Sequence, residues 1–183
     1  MLGRAGGAVA AAAATIVAAT AAPTGAQPLE ERIAGHRDWS VYEHGSGSGR
    51  VCWVATTPKE PWRARRNGRD VTSSVRRGEI FLNVAVRPGQ GVPNEPSFVA
   101  GYPLDPDRPV EVEIGGDDFR MFSEGENAWL ENPDADADMV AAMRRGVEAV
   151  VTGVSTRGTT TIDTFSLLGF TDALETARAR CES

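Results

Sequence analysis

Asp163 and Ser166 lie close together near the end of the chain, and with a distant histidine they could serve as a catalytic triad. The chain lacks the G-x-S-x-G turn of the α/β-hydrolases, because the stretch GSGSG has Gly47 where the serine would stand. The sequence DTF also differs from the Asp-Thr-Gly/Ser motif of aspartic proteases. We therefore expect Asp163 to form a structural ion pair with Arg157 or Arg180 rather than to act in catalysis.

Three alternating acids, Asp134, Asp136 and Asp138, resemble the start of a calcium-binding loop. An EF-hand loop needs glycine at its sixth position and glutamate at its twelfth, and this chain has Met139 and Arg145 there. Acidic residues at the positive end of a helix dipole account for the pattern without a metal. We therefore interpret these acids as the first turn of a helix.

The two histidines of the chain, His36 and His44, do not belong to a metal-binding motif. A zinc site would need further ligands, and the sequence contains neither an HxxxH nor a CxxC spacing. We expect both histidines to be solvated. The sequence thus predicts no catalytic residues, no metal and no cofactor.

One short segment, PWRARR, combines an aromatic side chain with a cluster of positive charge. It is the best candidate for a surface that contacts an acidic partner, although a solvated loop is the simpler explanation. The chain's 4 tryptophans could stack on sugars if they shared an exposed face, but in a small domain they more often lie in the core. The predicted partner surface consists of Trp62, Arg63, Arg65 and Arg66.

Cys52 and Cys181 are the only cysteines. An even number of cysteines in an exported protein indicates a disulfide, here closing a loop of about 130 residues. The chain-entropy model assigns about 4–5 kcal/mol to such a loop. Two free thiols are the alternative.

Residues 1–26 have the features of a secretory signal peptide: Arg4, an Ala/Val/Ile run and the small residues Thr24-Gly25-Ala26. A membrane-spanning helix is the rival interpretation, but the run is only weakly apolar and leads directly into the cleavage-type sequence. We expect cleavage after Ala26, a short leader at 27–35, a single domain at 36–183, and residence in the periplasm or at the cell surface.

The net charge of the chain indicates which classes of binding partner are disfavoured. The formal net charge is −6, which disfavours nucleic acid and anionic membrane surfaces. An eight-stranded outer-membrane barrel is also disfavoured, because aromatic residues are only 7% of the chain and the predicted strands are short.

Hydrophobic periodicity predicts short strands separated by turns, with segments 58–79 and 88–96 mostly in loops. The clearest alternation is at 109–115, where Val110, Val112 and Ile114 are separated by glutamates, which predicts one buried and one wet face. The predicted strands are 38–44, 50–57, 80–87, 97–104, 109–115, 118–124, 127–131, 148–156 and 159–168.

Two helices are predicted, at about 132–146 and at 171–181. The first has Asn132 as its N-cap, an apolar stripe that includes Val147, and Gly146 at its end. The second would be capped by Thr171, with Leu174, Ala177 and Cys181 on one face. Short strands with two helices predict a β-sandwich carrying helical additions.

Several segments resemble the invasion-associated locus B family of exported bacterial proteins. The most specific is RGTTTIDTFSLLGFTDALETARARC at 157–181, and VRRGEIFLNVAVRPGQGV, GYPL and CWVATTPKE also fit. The likeness covers about residues 36–181. It implies an immunoglobulin-like antiparallel β-sandwich and export, and it supplies no catalytic residues.

The sequence therefore predicts a non-enzymatic exported protein that binds a protein or cell-envelope component. The alternative is a periplasmic hydrolase or a carbohydrate-active or carbohydrate-binding protein. If Asp163, Glu124 and Glu126 lined one deep pocket, the hydrolase interpretation would be favoured.

Overall fold

The computed structural model describes residues 31–182, which form twelve strands and two α-helices. The predicted signal peptide at 1–26 lies outside the described residues. The strands are β1 Glu31–His36, β2 Trp39–His44, β3 Val51–Thr56, β4 Lys59–Arg66, β5 Arg69–Asp70, β6 Phe81–Arg87, β7 Val92–Val99, β8 Val110–Ile114, β9 Asp117–Glu124, β10 Asn127–Trp129, β11 Glu148–Val154 and β12 Thr160–Ser166. The helices are α1 Pro133–Arg145 and α2 Phe170–Cys181.

The strands form one continuous antiparallel ladder in the order β1-β2-β3-β6-β7-β10-β9-β8-β11-β12-β4-β5. Strand β9 belongs to both halves, because its first part pairs with β8 and its last three residues pair with β10. The two halves share a single core, in which the rings of Phe98 on β7 and Phe165 on β12 lie 6.1 Å apart, edge to face. The predicted fold class, mainly antiparallel β with two helices, is confirmed.

Alternating side chains explain why these segments form strands. On β8, Val110, Val112 and Ile114 are buried while Glu111 and Glu113 are exposed. An apolar side chain at every second position buries one face of a strand and leaves the other in water, as the sequence predicted.

Helix α1 is capped as predicted. The Asn132 side chain accepts a hydrogen bond from the Ala135 N–H at 2.9 Å, and the Gly146 N–H closes the last turn on the Ala142 carbonyl. Val147 was placed on the apolar stripe, and this was wrong, because the helix has ended and the residue is 68% exposed. The buried residues of the helix are Met139, Val140, Ala142 and Met143.

Helix α2 begins one residue earlier than predicted. Its N-cap is Gly169 rather than Thr171, and Phe170 is already helical and fully buried against Trp39. Gly169 has a φ of 91°, and a Cβ there would overlap the carbonyl oxygen of His36. A glycine is required at this bend because the backbone of β1 comes so close.

Three loop predictions were wrong in part. The expected leader at 27–35 contributes residues 31–35 to β1, which pairs with β2. The segment 58–79 contains β4 and β5, because β4 gains a ladder with β12 that its polar sequence does not reveal. The segment 88–96 contains the first half of β7, which pairs with β6. Within residues 31–182, neither helix is long and apolar enough to cross a membrane.

Candidate functional site

Asp163 is buried on β12 in an ion pair with Arg77. The guanidinium donates to both carboxylate oxygens, at 2.7 and 2.8 Å, and the two side chains are 2% and 0% exposed. The expected partners, Arg157 and Arg180, were wrong, since Arg180 pairs with Glu43 instead. The predicted structural ion pair is therefore present with a different arginine, contributed by the segment between β5 and β6.

Three further groups fix Arg77. Its Nε and Nη2 donate to the Ala100 carbonyl at 3.0 and 2.8 Å. Its guanidinium carbon lies 5.0 Å from the ring centre of Trp62 and 5.1 Å from that of Tyr102. A cation between two aromatic rings is stabilised by both ring faces and shielded from water. This arrangement fixes Arg77 and its partner Asp163 in the interior.

A chain of hydroxyls connects this pair to the surface. The Tyr102 hydroxyl lies 2.7 Å from the Thr161 oxygen, and the Thr161 hydroxyl donates to Asp163 at 3.5 Å. Because the carboxylate can only accept, Thr161 donates to it and Tyr102 donates to Thr161. Burial raises the pKa of Tyr102, so its hydroxyl keeps its proton at neutral pH.

A cleft of about 450 Å³ opens above this hydroxyl chain. It is walled by the end of β4, the segment after β5, the loop after β7, the β9–β10 turn and the β11–β12 turn. Its charged residues are three arginines and one glutamate, and its polar residues are mostly hydroxyl-bearing. The lining side chains used in the argument are Arg66, Arg76, Tyr102, Glu126, Arg157 and Thr159.

Arg66 is held in place at the cleft wall. Its Nε and Nη2 donate to the Thr159 hydroxyl oxygen at 2.8 and 2.5 Å, and Thr159 is 3% exposed. The Ser155 hydroxyl in turn accepts from the Thr159 backbone N–H at 3.1 Å. The guanidinium of Arg66 is therefore fixed against the cleft wall.

The loops that form the cleft are joined by backbone contacts. The Gly78 N–H donates to the Gly101 carbonyl at 2.8 Å, and the Thr156 N–H donates to the Pro103 carbonyl at 3.1 Å. Gly101 has a φ of 70°, and a Cβ there would lie 2.8 Å from the Gly78 oxygen. The segments that carry Arg76 and Arg157 are thus both tied to the loop after β7.

Cys52 on β3 and Cys181 at the end of α2 form a disulfide, as predicted, with Cα atoms 5.9 Å apart. The same helix end is held by the pair Arg180–Glu43, and the Arg180 guanidinium lowers the pKa of the Glu43 carboxyl by hydrogen bonding to it. The disulfide therefore attaches the last helix to the first half of the sheet.

The family model described as "Invasion associated locus B (IalB) protein" matches residues 39–178, which is most of the chain. The chain belongs to the invasion associated locus B family. Among solved structures, the crystal structure of invasion associated protein B from Bartonella henselae is similar, with a TM-score of 0.55 and 15% identity. The match covers 84% of this chain and 97% of that one, and it concerns the fold alone. No curated protein matches the chain.

In this IalB-family domain the predicted partner surface is divided between two faces of β4. Register with β12 places Arg63 opposite Ile162 and Arg65 opposite Thr160, on the exposed face. Trp62 and Arg66 point to the other face, where they contact Arg77 and Thr159. Contact of these four residues with a partner remains a prediction.

The three carboxylates singled out from the sequence do not converge. Glu126 lines the cleft, Asp163 lies beneath it in the ion pair, and Glu124 is exposed on β9 outside the lining. His36, expected to be solvated, is half-buried and its Nε2 lies 2.9 Å from the Thr176 hydroxyl on α2.

Sequence reasoning missed most of the cleft. Arg76, Tyr102 and Arg157 come from three separate loops. Each lies in a segment that resembles the family, but the resemblance assigns none of them a role. Residue type pointed only to Arg66, at the end of the arginine-rich segment.

Proposed function

We propose that this IalB-family chain is an exported, non-enzymatic protein that binds an acidic protein or an acidic component of the cell envelope. The binding surface is the end of the domain formed by the β4–β5 hairpin and the adjoining cleft. The observation that carries the proposal is that Arg76 and Arg157 form no ion pair or side-chain hydrogen bond within residues 31–182, although both line the cleft.

This arrangement is unusual for a chain whose net charge is −6. Acidic side chains are plentiful, yet only Glu126 shares the cleft with its three arginines. A basic site on an acidic protein attracts negatively charged partners locally while the rest of the surface repels them. The proposed partner therefore presents a small acidic region rather than an extended anionic surface.

The sequence of residues 1–26 supports export, because it has the basic start, apolar run and small-residue cleavage site of a secretory signal. A disulfide is also typical of proteins that fold in an oxidising compartment. We accordingly propose that the domain resides in the periplasm or at the cell surface.

A binding role is favoured over hydrolysis by the state of Asp163. Its carboxylate is fully buried and receives two charge-assisted hydrogen bonds from Arg77. A general base must reach the proton that it removes, and this carboxylate lies fully buried beneath the cleft and is hydrogen-bonded to its arginine partner.

The proposal is tested with immobilised protein and detergent-solubilised envelope from the native host. The double variant R63E/R65E reverses the charge on the exposed face of β4 and should lose most of the retained material, and added salt should elute it from the wild type. R108E/R120E is the matched control, since both residues are exposed elsewhere. Equal retention by both double variants would contradict the proposal.

A second candidate, carbohydrate binding, is favoured by the outer face of the first half of the sheet. The rings of Tyr42 and Trp53 stack there with their centres 5.4 Å apart. The ring centres of Phe122 and Trp129 lie 6.0 Å apart on the same face. Aromatic rings on an open sheet can stack on sugars. Titration with cellohexaose and chitohexaose, followed by tryptophan fluorescence in wild type and W129A, would test it; an unchanged spectrum would exclude it for these sugars.

A further inference from the structure

The cleft has the charge of a binding site for a doubly negative group. Three guanidinium groups and one carboxylate line it, an excess of two positive charges at neutral pH. Glu126 lies in the β9–β10 turn, whereas the arginines come from β4, the segment after β5 and the β11–β12 turn. The positive charge is therefore supplied by three separate parts of the chain.

Many arginines in residues 31–182 are paired. Carboxylate partners are found for Arg77, Arg87, Arg144, Arg145 and Arg180, and Arg178 donates to the Asn94 side chain. The arginines that form no ion pair or side-chain hydrogen bond within these residues are Arg37, Arg63, Arg65, Arg69, Arg76, Arg108, Arg120 and Arg157. Arg76 and Arg157 differ from the others in that both line the cleft. Like charges brought together repel each other, and an anion bound between them removes that cost.

Guanidinium donors also suit an oxyanion chemically. A guanidinium presents a planar fork of N–H donors that matches carboxylate and phosphate oxygens, and Arg66 is already fixed by Thr159 with its Nη1 left over. Tyr102 donates to Thr161, so the floor offers the tyrosine oxygen as an acceptor rather than a further donor. The arginines must therefore supply the main contacts.

We propose that the cleft binds a phosphate monoester, with Arg66, Arg76 and Arg157 as its ligands. This deepens the proposed function by naming the acidic group, and it rests on that function. A phosphomonoester carries about −1.5 to −2 charges at pH 7 and three acceptor oxygens, which matches the excess charge and the three guanidinium groups. Glu126 faces the same space and selects against ligands with additional negative charge next to the phosphate.

Affinity is measured by calorimetry with three phosphate probes: inorganic phosphate, glycerol 3-phosphate, and vesicles of phosphatidic acid in phosphatidylcholine. Binding of the soluble probes alone assigns the site to a free phosphomonoester, and binding of the vesicles alone assigns it to a lipid headgroup; either result supports the proposal. R76Q and R157Q should each weaken the affinity about tenfold or more, because each removes a charged hydrogen-bonding group.

R120Q is the matched control and should bind as the wild type does, since Arg120 is exposed on β9 outside the cleft. Arg76 and Arg157 form no ion pair or side-chain hydrogen bond within residues 31–182, so their variants should keep the wild-type melting temperature and report on binding alone. Affinity should also fall between pH 7.5 and pH 5.5, as the phosphate loses its second charge near pH 6. Sulfate, whose charge is constant over this range, should show no such fall.

Absence of binding by all three phosphate probes would overturn the proposal. So would equal or tighter binding of succinate, which would indicate a dicarboxylate site, and so would wild-type affinity in R76Q and R157Q. None of these results depends on Arg63 or Arg65, which lie on the other face of β4. The phosphate site and the envelope-binding function can therefore fail separately.

Discussion

At the scale of single residues, the buried pair Arg77–Asp163 dominates the interior of the site. Removing two charges from water is unfavourable, and here the two parallel hydrogen bonds, the Ala100 carbonyl and the rings of Trp62 and Tyr102 offset that cost. The pair joins the segment before β6 to β12, so it links the two halves of the sheet. Its loss would disturb the floor of the cleft as well as the core.

We predict that D163N lowers the free energy of unfolding by about 3–5 kcal/mol, because the variant leaves Arg77 buried without a counter-charge. Urea denaturation followed by far-UV circular dichroism measures the free energy of unfolding of the variant and the wild type. D118N is the control, since Asp118 is exposed and its loss should change stability by less than about 0.5 kcal/mol. Similar midpoints for the two variants would mean that the pair contributes no more than a surface carboxylate.

The sequence predicted half of this pair. Alternation along β12 places Asp163 on the same side as Phe165, and both are buried. Arg77 was not predicted as the partner, because it lies 86 residues earlier in a segment that looked like loop. Pairing over such a separation depends on the strand order, which local sequence does not encode.

Asp136 provides a pH-dependent prediction. One of its carboxylate oxygens is buried without a hydrogen-bond partner in the described chain, and burial raises its pKa from 3.8 to about 6. The folded state then binds the proton more tightly than the unfolded chain does, so its contribution is most favourable at low pH. That contribution is lost as the pH rises from 3.8 through about 6.

D136N should therefore raise the melting temperature at pH 8, where the wild type buries a charge, and should give little or no gain at pH 4. Calorimetric scans at both pH values measure the difference. D134N is the control: Asp134 is exposed in the first helical turn, and its loss removes a favourable interaction with the helix dipole. A gain for D136N that is the same at both pH values would argue against titration of Asp136.

At the scale of elements, the end of α2 is attached to the sheet at several points. Besides the disulfide, Arg180 pairs with Glu43 on β2, and the Arg178 guanidinium donates to Asn94 on β7 at 2.7 Å. The covalent link should contribute most, because exposed ion pairs contribute about 0–1 kcal/mol and the 129-residue separation of the cysteines gives a large loop-closure term.

We predict that C52A/C181A lowers the melting temperature by about 10 °C through the loss of this cross-link. R180Q, which removes an ion pair at the same helix end, should lower it by no more than about 3 °C. Differential scanning calorimetry of both variants and the wild type measures the two shifts in melting temperature. Equal shifts would show that the disulfide adds nothing beyond local contacts.

Elements with strong local signals were predictable, and elements that depend on partners were not. Helix α1 was predicted because Asn132, Pro133 and Gly146 mark its ends, and β8 because its apolar residues alternate. The sequence of β4 reads as a charged loop because five of its eight residues are charged, and in the structure only Ala64 of this strand is fully buried. It forms because β12 and β5 lie on either side of it.

At the scale of the whole molecule, two sets of strand pairings close the fold: β9 pairs with both β8 and β10, and β4 pairs with β12. The shared strand β9 lets one ladder enclose a single core, and β4, at residues 59–66, pairs with the final strand, β12. The family resemblance, rather than periodicity, indicated an immunoglobulin-like sandwich. The closure also assembles the cleft, because Arg66 lies at the end of β4 and Arg157 lies in the turn before β12.

Export and oxidation should be linked in the whole protein. Produced in a bacterial host with residues 1–26, the chain should reach the periplasm, begin at Gln27 and have no alkylatable thiol without reduction, because Cys52 and Cys181 pair there. The same chain without residues 1–26 should stay in the cytosol with both thiols reactive after denaturation. Intact mass spectrometry of alkylated fractions separates the two forms. A full-length, uncleaved chain in the membrane fraction would instead support an N-terminal anchor, and the proposed periplasmic site of action would then have to be a membrane-attached one.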